Sequence, residues 1–170
     1  MKETESLIRL FNTEEEIGVR LLFILATTKE KMSLSRLIYY DYFALHLDDI
    51  DKNLESLHPS NPSHSAEIVV RRKIIMNAVE YMALKKLLDV KYTTQGIYYK
   101  FNSITENFLS YFISDYSKQL KDNIAIVHNL FSDLTDKRLD KYVKKNIGNW
   151  VGEFEKEYQL ELLGEGEENE

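Results

Sequence analysis

FNTEEEIGVRLLFILATTKEKMSLSRLIYYDYFALH, residues 11–46, reads as two capped apolar helices joined by a short polar turn. Thr13 followed by Glu16 has the spacing of a capping box, in which two side chains satisfy the free amides of a helix start. Ile17, Leu21, Leu22, Ile24 and Leu25 then recur at helical intervals until Thr27. Lys29, Glu30 and Lys31 make the turn, and Ser33 is the next candidate N-cap. Leu34, Leu37, Ile38, Tyr42 and Leu45 carry the second helix. The result is a helical hairpin with one shared apolar face.

Working outward, Leu7, Ile8 and Leu10 suggest a short lead-in before this hairpin. After it, residues 47–65 change character, hold both prolines, and read as a long structured loop. Asn61 and Pro62, with Ser63 and Ser65, supply start signals for a third helix from about residue 66 to 88. Its two apolar stripes, Ile68, Ile75, Val79, Met82 and Ile74, Ala78, Tyr81, predict burial on more than one side. Leu88, Val90 and Tyr92, a Gln95-Gly96 turn, and Ile97, Tyr99 and Phe101 predict a β-hairpin. Three helices closed by a hairpin give a winged-helix-like N-terminal unit over residues 7–102 in a mainly α protein.

A C-terminal helical extension, residues 103–163, is expected to pack on that unit. Ser103 with Glu106, Ser114, and Thr135 mark successive helix starts, and Gly148 marks a stop. Trp150, Phe154, Tyr158 and Leu162 form a last apolar stripe before an acidic tail, residues 164–170, expected to be disordered.

Composition narrows the function classes. The 170 residues are 44% hydrophobic and 12% aromatic, which suits a packed core. No apolar run approaches the roughly 20 residues that span a membrane, and MKETES has no signal-peptide pattern, so the expected location is the cytoplasm. The absence of cysteine excludes disulfides, thiolate catalysis and Cys-type zinc sites. The net charge of −6 is concentrated at the end: residues 153–170 carry −7 and residues 1–152 only +1. A chain that gripped nucleic acid through phosphates would show a strong basic excess, so DNA binding by this chain alone is expected to be weak or indirect.

No catalytic motif emerges. His46, His58 and His64 share a region with Asp41, Asp48, Asp49 and Asp51, yet no nucleophile elbow, His-Glu-x-x-His or phosphate loop is present. The series Asp49, Asp51, Asn53 fails as a calcium loop, with Leu54 where glycine is needed and Ser60 where a bidentate glutamate belongs. No catalytic, cofactor or metal-binding residues are therefore assigned. Arg71, Arg72 and Lys73 form the best basic cluster, but neighbours on a helix diverge by about 100°, so at most two act together. Arg71 either pairs with Glu67 or joins Arg72 in gripping a partner or the His58 loop. Tyr39, Tyr40 and Tyr42, with Tyr98 and Tyr99, exceed what one small core needs and favour an interface.

FNTEEEIGVRLLFIL, LSRLIYYDYFALH, SLHPSNPSHSAEIVVRRKII and the hairpin ending GIYYKFN together resemble the middle component of bacterial three-component ABC defence systems, including the small Lamassu accessory subunit. The most specific part is Ser56, Leu57, His58, Pro59 and Pro62 with Glu67, Val70, Arg71 and Arg72, and Asp41, Tyr42 and His46 upstream. The resemblance implies a noncatalytic subunit that joins an SMC-like ATPase to an effector, often a nuclease, in defence against phage or plasmids. Asp41, Tyr42, His46, His58, Pro59, Glu67, Arg71, Arg72, Tyr98 and Trp150 are the candidate interface or structural-motif residues, and Trp150 is the first choice for an interface anchor. The competing class is a DNA-binding winged-helix regulator. Against it, nearly twenty residues separate helices two and three, where a helix-turn-helix uses about three or four.

Overall fold

The computed structural model describes residues 13–59 and 64–150. The hairpin of helices forms as its caps dictate. Helix α1, Glu14–Thr28, starts where the Thr13 hydroxyl accepts from the Glu16 amide at 3.2 Å. It ends on Lys29 in the left-handed conformation, whose amide closes onto Leu25 O at 3.0 Å. Helix α2, Leu34–Leu45, is capped by Ser33, which accepts from the Arg36 amide.

The turn between them holds an element absent from the sequence reading. Met32–Ser33 is a two-residue strand, β1, that pairs antiparallel with a later strand. Two residues are too short for a period-2 pattern, which is why alternation could not reveal it. A 3-10 turn, Leu47–Asp49, leads into the loop. Helix α3 then runs His64–Leu84, two residues earlier at its start and four earlier at its end than expected. Lys86 adopts φ 59°, and the Leu87 amide bonds Met82 O at 3.0 Å, so the chain turns before Leu88.

Strands β2, Asp89–Thr93, and β3, Gly96–Lys100, form the expected hairpin. Its two loop residues are Thr94 and Gln95 rather than Gln95 and Gly96. Gly96 pairs with Thr93 and takes φ 134°, a conformation that favours glycine. The sheet order is β1-β3-β2, and the element order is helix, strand, helix, helix, strand, strand. The chain is thus mainly helical with a winged-helix-like N-terminal part.

Three more helices complete the described residues: α4, Ser103–Leu109, α5, Asp115–Phe131, and α6, Asp136–Trp150. Helix α4 is capped one residue earlier than expected. Asn102 accepts from Ile104 and Thr105, and the box closes through Thr105 rather than Glu106. Ser114 caps α5, and the Thr135 hydroxyl accepts from Arg138 at the start of α6. Gly148 does not stop α6, which continues to Trp150. The lead-in before Thr13, the stripe from Phe154 to Leu162 and the tail 164–170 lie outside the described residues.

Helices α1, α2, α3, α5 and α6 contribute to one continuous core. Tyr40, Tyr42 and Phe43 are its largest fully buried side chains. At about 1.5–3 kcal/mol for a large apolar side chain, these three contribute heavily to the fold. The helical tyrosines of α2 are therefore core rather than interface, except Tyr39, which is half-buried and donates to Asp140 at 2.6 Å.

Candidate functional site

Two charged residues sit on the apolar stripes of the first two helices. Arg20 falls in line with Ile17 and Ile24 on α1, and Asp41 in line with Leu37 and Leu45 on α2. A charge at such a position is buried by the packing of its neighbours and must find a partner. Arg20 Nε donates to Asp41 Oδ1 at 2.8 Å and Nη2 to Oδ2 at 3.2 Å. Arg71, from α3, donates through Nη1 to Asp41 Oδ2 at 2.6 Å. One carboxylate, 1% exposed, thus clasps three helices.

The electrostatics follow from this arrangement. Burial pushes the Asp41 carboxyl upward, but the guanidinium groups of Arg20 and Arg71 and the Arg20 hydrogen bond outweigh it, so Asp41 lies below the ordinary carboxylate range. Removing ions from water costs several kcal/mol each, which the paired geometry has to offset. The cluster is also asymmetric. Two guanidinium groups face one buried carboxylate, and Arg20 Nη1 is buried without a hydrogen-bond partner among the described residues. Glu16 Oε1 stands 3.8 Å from it, on a side chain 44% exposed.

The 46–59 loop closes over the cluster. Tyr42 donates to Asp49, Ser56 donates to Asp48, and the Asp51 carboxylate accepts from the Asn53 amide at 2.9 Å, so the loop's acids shape the loop itself. The His58 amide donates to Leu45 O at 3.1 Å, and its Nε2 shares a 3.1 Å hydrogen bond with the Tyr116 hydroxyl of α5. Its ring meets His46 edge-on at 6.3 Å. His46 in turn lies against Tyr42 at 4.9 Å, and the Arg71 guanidinium stands 5.8 Å from the Tyr42 ring centre. Burial, then the charges of Arg20, His46 and Arg71, lower the His58 pKa, with Asp41 opposing them.

Asp41, Tyr42, His46, His58 and Arg71 are therefore brought together around one buried charge cluster. Arg71 reaches inward to Asp41, which neither sequence alternative named; the Glu67 side chain is outside the described residues. Pro59 and Arg72 are exposed, and Tyr98 lies half-buried on β3 with Lys31 Nζ 5.0 Å from its ring centre, apart from the cluster. Trp150 ends α6, and its side chain lies outside the described residues. Sequence reasoning missed Arg20 and Tyr116. Opposite charges on facing apolar stripes were the signal for Arg20 with Asp41; nothing in sequence marks Tyr116.

Chemically, the cluster is a clasp. Asp41 is held ionised by two fixed cations, which is unlike a carboxyl poised to exchange protons near neutrality. Among the described residues, no three His, Asp or Glu side chains are grouped to hold a metal ion, and no helix is long and apolar enough to cross a membrane.

A family model described as ABC-three component (ABC-3C) system Middle Component 2 matches residues 10–153. Neither the curated proteins nor the solved structures compared with the chain gave a match.

Proposed function

The chain belongs to the middle component 2 family of ABC-three component systems, and on that premise we propose that it is a noncatalytic accessory subunit of a Lamassu-type defence complex against phage or plasmids, linking an SMC-like ATPase to an effector nuclease. Family membership across residues 10–153 carries the reading. The clasp supports it, because Asp41, Arg20 and Arg71 are engaged in joining helices rather than arranged around a reacting group. An assembly subunit needs surfaces. Tyr111 and Ile113, 83% and 79% exposed, flank Phe112, whose ring meets Phe23 edge-on at 5.9 Å. Phe23 also lines a groove of about 390 Å³ with Ala26, Leu109 and Lys121. In this reading the groove and its exposed neighbours are one place where a partner subunit of the system rests.

Co-expression with the products of the neighbouring genes, followed by size-exclusion chromatography, tests the proposal. Co-elution with an ATPase and an effector is the expected result; a chain that elutes alone would overturn it. A second reading, a DNA-binding regulator, is favoured by the helix and strand order, since α3 and the β2–β3 hairpin correspond to a recognition helix and wing and α3 exposes Arg72 and Lys73. Tight binding to a particular sequence at physiological salt would establish that reading instead.

A further inference from the structure

We propose that the open edge of strand β2 receives residues 153–162 of a second copy of the chain as an added strand. The sheet order β1-β3-β2 leaves β2 at the border, with no strand beyond it among the described residues. Its register tells which backbone groups face outward. Thr93 and Gly96 flank a two-residue loop and exchange both hydrogen bonds, as do Lys91 with Tyr98 and Asp89 with Lys100. Val90 and Tyr92 therefore turn their N–H and C=O groups away from β3, and no backbone hydrogen bond from another described element reaches them there.

The two faces of that edge differ in chemistry. Met32, Val90, Tyr92, Ile97 and Tyr99 share one face, and Met32, Val90 and Tyr99 pack toward the core. Tyr92 and Ile97, directly opposite each other, carry that face past the body and are 80% and 47% exposed. Burial, and then the charge of Glu80 on α3, raise the Tyr99 pKa, so Glu80 lies beside this apolar shelf. On the opposite face Lys31, Lys91 and Lys100 are exposed. The acid among them is Asp89, which Lys91 meets at 3.5 Å and the Asn102 amide at 3.0 Å.

Residues 153–162, EFEKEYQLEL, carry the matching pattern. Glu153, Glu155, Glu157, Gln159 and Glu161 alternate with Phe154, Lys156, Tyr158, Leu160 and Leu162, the period of a strand with one acidic and one largely apolar face. On a helix the same glutamates fall on opposite sides, because two steps turn about 200°. Paired with β2, the acidic positions face the lysines and the apolar ones face Tyr92 and Ile97. Lys156, the cation among the apolar positions, then shares the side of Glu80. The family match ends at residue 153 and assigns the segment no role.

A second copy supplies the strand because α6 leads away from the sheet. The pairs Arg36 with Asp136 and Tyr39 with Asp140 set α6 alongside α2 in the same direction, and α2 starts directly after β1. The helix advances about 22 Å, whereas residues 151 and 152 span only about 7 Å. Reciprocal exchange between two copies uses both edges in a twofold dimer. Pairing of β2 with its own copy is poorer, since the register that uses Val90 and Tyr92 sets Lys91 against Lys91.

The chain holds no cysteine, so full-length Gln159→Cys accepts a single nitroxide. Mixing it with isotope-labelled wild type puts the spin label and the observed amides on different molecules. NMR is expected to show broadening at residues 91–93, and sedimentation a dimer. Tyr92→Pro removes one outward N–H while leaving the bonds of Lys91 and Thr93 to β3, and is expected to weaken self-association at least about tenfold. Amide exchange across β2 and β3 checks that the hairpin survives. Lys91→Glu changes no backbone group and should weaken association as well. A monomer without broadening in the mixture overturns the proposal, as does broadening only when label and isotope share one molecule. Unchanged association in a folded Tyr92→Pro or in Lys91→Glu does the same. Each of these results leaves the assembly reading to its own test, co-elution with the partner subunits.

Discussion

Asp41 on α2 and Arg71 on α3, thirty residues apart in sequence, meet at 2.6 Å between Oδ2 and Nη1 in the interior of the protein. Because Arg20 approaches the same carboxylate from α1, removing Asp41 takes a buried, directly hydrogen-bonded anion from two buried cations at once. Asp41→Ala is expected to destabilise the fold by about 3–5 kcal/mol, the usual scale for breaking a buried pair from one side. Replacing all three together with apolar residues of similar size should recover most of that loss, since the buried carboxylate and the two cations that face it are then removed together. Urea denaturation of the single and triple variants checks both. A single variant within about 1 kcal/mol of wild type would show that the clasp adds little.

Gly18 gives a second expectation, set by helix approach. A Cβ built there would lie 2.2 Å from Met82 Cε and 2.7 Å from its Cγ. Glycine inside a helix costs about 0.5–1 kcal/mol relative to alanine, so its presence marks where α1 and α3 come close. Gly18→Leu should cost about 1–3 kcal/mol by overpacking. The same change in a Met82→Ala background should cost less, with a coupling of at least about 0.5 kcal/mol. Thermal or urea unfolding of the four proteins reads it directly; strictly additive costs would contradict the close approach.

The parts of this fold that sequence revealed are those governed by local rules. Thr13, Ser33, Ser114 and Thr135 cap helices because each offers a hydroxyl to amides within its own turn. The β2–β3 hairpin announced itself through alternation around Gly96. What stayed hidden depends on distant partners. Strand β1 exists because Met32 and Ser33 pair with Tyr99 and Tyr98, and two residues carry no period of their own. Of the candidate site, Asp41, His46, His58 and Arg71 were singled out, but their convergence was not visible, because it requires the crossing of α2 and α3. Arg20 was overlooked as one arginine in an apolar helix, although its register with Ile17 and Ile24 showed that it had to turn inward.

Arg36 predicts how firmly the C-terminal helices are held. Its Nε donates to Asp136 at 2.6 Å, Nη1 to Phe131 O at 3.3 Å, and Nη2 to Leu134 O, so one side chain ties the α5–α6 turn to α2. Lysine keeps the charge but has no planar fork to serve three acceptors. Arg36→Lys should therefore cost about 1–3 kcal/mol through unsatisfied carbonyls. Hydrogen exchange should speed up first in α6. Wild-type protection throughout that helix would refute the tie.

The last prediction is a pH dependence whose sign follows from the surroundings of His58. Burial and the neighbouring positive charges lower its pKa in the folded state from the ordinary 6.5, so the unfolded chain takes up a proton more readily. Below about 6.5 the unfolded state is therefore favoured by protonation, and stability falls with decreasing pH until the folded-state pKa is passed. The slope from this one group cannot exceed about 1.4 kcal/mol per pH unit, and partial exposure makes it smaller. Asp41 acts in the same direction but lower down: its depressed pKa contributes stability that is present above about 3.8 and is lost as the carboxylate takes up a proton below it. His58→Gln separates the two. A glutamine side chain does not titrate, so the variant should lose the dependence that begins near 6.5 and keep the one below 3.8. Urea midpoints measured between about pH 7.5 and 3 provide the curve. If wild type and His58→Gln ran parallel across the upper part of that range, the histidine would not be the group that responds, and the contact between the loop and the clasp would have no electrostatic consequence for folding.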